Sequence, residues 1–252
     1  MSAPPPLSPL EMTVQATDGL ILKGLLAYPE IGPGKGFPLA VLVHQYPATA
    51  DSYAPLVEDL LDLGVATLAF DLRGHGASIQ GTHGRLVIDT PVGFTMDAFG
   101  LAFVGSAGKV GFKYINDDII RVASWGAVQN FIDVSRLILV GSSVGGTGAV
   151  LAAPKVPGLA ALITLCAAGE PVWGDDGRAQ ARKAMELHKA PSLLATSEKD
   201  AFDGVGNVKA WSEGLRHVRP LLVPGAAHGM AIYYDVRDDV LSFVRQVLSL
   251  KP

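Results

Sequence analysis

The sequence predicts an α/β fold, a mostly parallel sheet of eight strands with helices on both faces. Three observations lead there. Residues 39–43 and 137–140 are short runs that are apolar throughout, and 65–70 is apolar apart from Thr67, the mark of strands buried on both faces. Stretches with apolar residues at helical spacing separate such runs. Asp18-Gly19 forms a turn between the first two strand-like segments and adds antiparallel strands at one edge.

The elements follow in order. Residues 12–16 and 20–28 make the opening hairpin, and 39–43 is the first buried strand. A helix starts near Ser52, a capping residue type, runs through Leu56, Leu60 and Leu61, and stops at Gly64. Strand 65–70 comes next. Ile119, Val122, Ala123 and Trp125 space a helix that reaches Asn130, and strand 136–140 follows. Helix 147–153, strand 160–165, helix 178–188, strand 192–197, helix 208–215, strand 220–223 and helix 236–250 complete the alternation. Residues 78–114 break it. They are glycine-rich, with Phe94, Met96, Phe99, Phe103 and Phe112 scattered through them, and read as an irregular insert near a functional site or packed on itself. Only 167–190 separates strands 160–165 and 192–197, so a minimal lid is expected there.

Length and composition narrow the function. The chain has 252 residues, 49% hydrophobic and 17% charged, enough for one large core. Net charge is −4 with no Lys/Arg cluster, which argues against a nucleic-acid partner. Cys166 is the only cysteine, so no internal disulfide or cysteine-rich metal site is expected. No apolar run approaches the roughly 18 residues of a membrane span. Residues 1–10 lack the basic start and apolar core of a signal peptide. Residues 1–11 read as a proline-rich tail or a linker to an upstream domain, and 12–252 as one catalytic domain. The compartment is cytoplasmic by default, or secreted if the chain belongs to a longer protein.

The chemistry centres on Ser143, in Gly141-Ser142-Ser143-Val144-Gly145 between strand 137–140 and the following helix. A serine on so tight a strand-to-helix turn presents its hydroxyl above the sheet, and the flanking glycines remove side chains that would collide there. A serine hydroxyl needs a base within reach, and the base needs an orienting acid. Both should lie at the carboxyl ends of strands. Of the six histidines, His228 follows strand 220–223 after one short loop; His188 and His217 fall at helix ends, and His83 in the insert. Asp200 follows strand 192–197 and is the acid of choice; Asp203 is the reserve, with a helix N-cap as its competing role. An oxyanion hole takes Val144 N–H and, from the loop after 39–43, Tyr46 N–H or Gln45 N–H.

Four segments carry a resemblance: His44-Gln45-Tyr46-Pro47, Asp71-Leu72-Arg73-Gly74-His75-Gly76-Ala77-Ser78, the turn at 141–145, and Gly225-Ala226-Ala227-His228-Gly229. Together they resemble the α/β-hydrolase superfamily over essentially the whole chain after the tail. The resemblance implies the order serine, acid, histidine. It implies that 71–78 is a structural turn, which removes His75 from the candidates. Gln45 stands where such proteins usually carry glycine, and this points its side chain toward the substrate. A serine at the turn separates the chain from dehalogenases and epoxide hydrolases, which use aspartate, and from dienelactone hydrolases, which use cysteine. The expected activity is a serine carboxylesterase acting on small or short-acyl esters, with no cofactor and no metal. A serine peptidase or amidase, and a non-catalytic binding protein of the same fold, are the alternatives.

Overall fold

The computed structural model describes residues 9–29, 36–93 and 95–250. Residues 1–8 of the expected tail, and Phe94, lie outside these. Leu10 and Glu11 already belong to the first strand, so the domain begins before Met12.

The elements are β1 (Leu10–Gln15), β2 (Ile21–Ala27), β3 (Phe37–Val43), α1 (Ala54–Asp62), β4 (Ala66–Phe70), β5 (Gln80–Gly81), β6 (Gly84–Arg85), α2 (Met96–Val110), α3 (Ile115–Ala127), β7 (Ile132–Ser142), α4 (Val144–Ala152), β8 (Leu159–Leu165), α5 (Gly177–Leu187), β9 (Ser192–Ser197), α6 (Gly204–Ser212), β10 (Val218–Val223) and α7 (Tyr233–Val247). The sheet order is β10-β9-β8-β7-β3-β4-β2-β5-β6, with β1 on β2. β3, β4 and β7–β10 run parallel; β1, β2, β5 and β6 are joined by antiparallel pairings. The eight full-length strands are those expected. β5 and β6 add a two-residue ladder inside the insert.

Side-chain alternation splits the core into two layers. Leu39, Val41, Val43, Leu137 and Leu139 face α3–α6, while Ala40, Leu42, Ile138 and Val140 face α1 and α7. Both faces of the central strands are therefore dry. The carboxyl ends of β3, β7, β9 and β10 open on one rim, where the loops bearing Tyr46, Ser143, Asp200 and His228 begin. No helix among the described residues is long and apolar enough to cross a membrane.

The insert is not irregular. α2 spans fifteen of its residues, capped by Thr95, whose Oγ1 accepts from Ala98 N–H at 3.2 Å, and ended by Gly111 at φ 75°. Arg73 ties this helix down. Its guanidinium donates to Val110 O at 2.8 Å, to Asp18 at 2.9 Å, and through two nitrogens to Asp118 of α3 at 2.7 and 3.0 Å. One fully buried cation thus joins the opening hairpin, the end of α2 and α3.

Three histidines are buried in neutral form. His44 Nε2 accepts from Leu72 N–H at 2.8 Å and Nδ1 donates to Gln45 O at 2.8 Å, so its role is to hold two loops. Burial, and then the neighbouring His75, lower its pKa to about 3. Burial lowers His75 and His188 to about 4. All three folded values lie below 6.5, so between those values and 6.5 the unfolded chain binds protons that the folded chain refuses, and stability falls as pH falls through that window. His44 and His75 each contribute up to about 1.4 kcal/mol per pH unit there. Asp118, raised by burial to about 6 against the pull of Arg73, takes its proton earlier in the folded chain and offsets roughly one histidine below that pH. The thermal midpoint is therefore expected to drop steadily from pH 6.5 to 4.5. A midpoint unchanged over that range in scanning calorimetry would refute the account.

Candidate active site

Ser143 sits between the last residue of β7 and the first of α4 with φ 51° and ψ −125°. A non-glycine residue held there stores about 1–3 kcal/mol of backbone strain, and such strain collects at functional sites. The glycines on either side are required by contact. A Cβ on Gly141 would lie 2.5 Å from Gly145 O, and one on Gly145 would lie 2.4 Å from both Val43 O and His44 O. The turn is thereby pressed against the end of β3. Ser143 N–H donates to Leu165 O at 3.1 Å, and Ser143 O accepts from Thr147 N–H and Ala168 N–H. Its side chain is left partly exposed at the amino end of α4, whose first amides have no helical acceptor.

His228, in the loop after β10, bonds through Nδ1 to Asp200 Oδ2 at 2.7 Å. The ionised carboxylate accepts, so the proton is on Nδ1 and Nε2 is left as an acceptor. The Asp200 carboxyl is fully buried while the imidazole keeps 18% exposure. Asp200 Oδ1 also accepts from Phe202 N–H at 2.8 Å. Burial pushes the Asp200 pKa up, but the hydrogen bond and charge of His228, with the Phe202 amide, outweigh it and hold the carboxyl below its ordinary value. Asp203 is placed differently. It stands at φ 59° at the start of α6, and its exposed carboxylate pairs with Arg178 of α5, which also holds Glu170 at 2.7 Å.

Ser143 and His228 are not hydrogen-bonded to each other here. Such bonds are often long before substrate binds. Their loops are joined through Gln45, whose Oε1 accepts from Ser142 Oγ at 2.9 Å and from Met230 N–H at 3.0 Å. Tyr53 Oη lies 3.2 Å from Ser142 Oγ and continues this chain inward. Gln45, the residue expected near the substrate, also has a structural role. Its amide oxygen is committed to bracing the serine turn against the histidine loop, and its side chain fills the space beside Gly229, where a Cβ would fall 2.6 Å from it. Ser142 and Tyr53 escaped the sequence reading because nothing local marks them.

Gln45 N–H and Tyr46 N–H donate to no acceptor among the described residues, and Val144 N–H opens α4. The Tyr46 ring is buried, and its hydroxyl donates to Asp89 O at 2.5 Å.

α2 adds a cover over this rim that the sequence reading did not foresee. The 167–190 connection is as short as foreseen, and the cover comes from the insert. Phe99 and Phe103, one turn apart on α2, pack edge-on against Tyr46 at 5.4 Å each. Phe103 reaches Gly169 beside Val144. Phe99 also meets Phe202 at 5.2 Å, and Phe202 lies 4.3 Å from the His228 ring. Cys166, at the end of β8 with φ 50°, is buried with its sulfur within 4.8 Å of donor atoms of Asp200 and His228. Burial raises its thiol pKa to about 11. His188 and His217 pack on each other near Met185, and His83 is exposed. A cavity of about 740 Å³ lies between β2, β4 and α1 and contains none of these residues. Chemistry, not volume, marks the site.

Comparison with known proteins follows the same lines. A family model described as alpha/beta hydrolase fold matches residues 38–188. No curated protein matches by sequence. Similar solved structures include a dienelactone hydrolase from Anabaena variabilis, at 18% identity and TM-score 0.64, covering 96% of this chain and 99% of that one. An esterase from Pyrococcus furiosus is 18% identical with TM-score 0.65, covering 96% and 91%. Est1E from Butyrivibrio proteoclasticus is 17% identical with TM-score 0.62, covering 95% and 99%. At these identities the likeness is one of fold.

Proposed function

The chain belongs to the α/β-hydrolase family, and from that premise we propose that it is a serine carboxylesterase working through an acyl-enzyme. The observation that carries this reading is the 2.7 Å bond between His228 Nδ1 and Asp200 Oδ2, on a loop that Gln45 joins to the turn holding a serine in strained backbone geometry. Ser143 Oγ attacks the ester carbonyl carbon as His228 Nε2 takes its proton. The imidazolium is stabilised by Asp200. The carbonyl oxygen becomes negative and is received by Val144 N–H together with Tyr46 N–H or Gln45 N–H. Each such donor is worth about 3 kcal/mol in the transition state. His228 then returns the proton to the departing alkoxide, and a water molecule, activated the same way, releases the acid. Phe103, close to Val144 and Gly169, limits room beside the nucleophile and supports a short acyl group.

A fluorophosphonate probe is expected to label the protein at Ser143. Ser143→Ala, with an unchanged circular dichroism spectrum, should lose labelling and lower 4-nitrophenyl butyrate turnover by about 10⁴-fold or more. Labelling that survives in this variant would overturn the assignment.

A further inference from the structure

We propose that the alcohol half of the ester seats against Phe99 and Phe202, so that the enzyme prefers esters of aromatic alcohols. This rests on the acyl-enzyme reading above. The base that protonates the departing oxygen must lie beside it, so whatever lines the approach to His228 faces the alcohol group and not the acyl group. That wall is aromatic. Phe202 lies 4.3 Å from the imidazole at an interplanar angle of 49°. Phe99 meets Phe202 at 5.2 Å and 51°, and its other side meets Tyr46 at 5.4 Å and 72°. The three rings form an arc from the base to the loop that offers the oxyanion amides.

Two further observations separate this seat from the acyl side. Phe103, four residues after Phe99 on the same helix face, turns instead toward Val144 and Gly169, next to the nucleophile. One helix thus supplies a different ring to each half of the substrate. Phe99 and Phe202 also remain only partly buried, so a further ring can join the stack. Tilted rings at 4.5–7 Å spacing contribute about 0.5–1.5 kcal/mol beyond area burial, which is up to roughly tenfold in kcat/KM. Asp200 holds Phe202 in place through its backbone amide, so acid, base and aromatic wall share one loop.

The test compares benzyl acetate with ethyl acetate, whose alcohols have similar acidity, so that intrinsic leaving ability does not decide the ratio. The wild-type enzyme is expected to favour benzyl acetate severalfold, up to about tenfold, in kcat/KM. Phe99→Leu and Phe202→Leu should each bring that ratio down severalfold and weaken product inhibition by benzyl alcohol in parallel. Phe103→Leu should leave the benzyl-to-ethyl ratio and shift the acetate-to-butyrate ratio. An equal rate on both acetates in wild type, or a ratio that survives both leucine variants, overturns the seat while fluorophosphonate labelling still stands. A wild-type protein that neither labels nor hydrolyses any ester overturns the acyl-enzyme reading itself.

Discussion

Asp200→Asn is expected to lower kcat for ester hydrolysis by about 10⁴-fold with little change in fold. An asparagine keeps the volume and can still accept from Phe202 N–H, but its amide offers no charge to the imidazolium and does not hold the proton on Nδ1. Asp203→Asn provides the contrast. Its carboxylate faces Arg178 on an exposed surface, so activity should stay within about twofold and stability within about 1 kcal/mol. The pair of variants is read by steady-state kinetics and thermal melting. A severe kinetic loss in Asp203→Asn, with Asp200→Asn near wild type, would reassign the acid.

The second large effect concerns folding. Arg73→Met should cost about 3–5 kcal/mol, because it leaves Asp118 buried without its partner. That is a large part of the roughly 5–15 kcal/mol that holds a domain together. Exposed ion pairs on this surface, such as Lys109–Asp89, should matter far less when broken. The double variant Arg73→Met/Asp118→Leu should recover much of the loss, since it removes the stranded charge as well. Urea unfolding measures both. A cost below about 1 kcal/mol for the single change would refute the uncompensated-charge argument. Arg73 also anchors the end of α2 through Val110 O, so partial unfolding of the single variant should loosen the aromatic roof first.

Several features were legible because their causes are local. The strand–serine–helix turn announces itself through glycines that contact forbids replacing. The place of His228, one loop beyond a strand, was legible in the same way. The hairpin and the buried parallel strands followed from apolar patterning. The choice between Asp200 and Asp203 was harder, since both follow the same strand and both are the right residue type. Arg178, on a helix that precedes them, drew one of the two away.

α2 was hidden for an energetic reason. Gly100, Gly105 and Gly108 each weaken a helix by about 1 kcal/mol, so local propensity spoke against one. Thr95 and Gly111 did carry capping signals, but what holds the helix is Phe99 and Phe103 packing on Tyr46, and Arg73 gripping its end.

By itself the chain order of amino acids determined the sheet, the serine turn and the histidine loop, because backbone sterics and periodicity act between near neighbours. Only the tertiary structure decided which acid meets the imidazole, that Gln45 braces two loops, and that a helix roofs the site. Those outcomes depend on hydrogen bonds and ring contacts between residues far apart along the polypeptide, and no short window of sequence contains both partners.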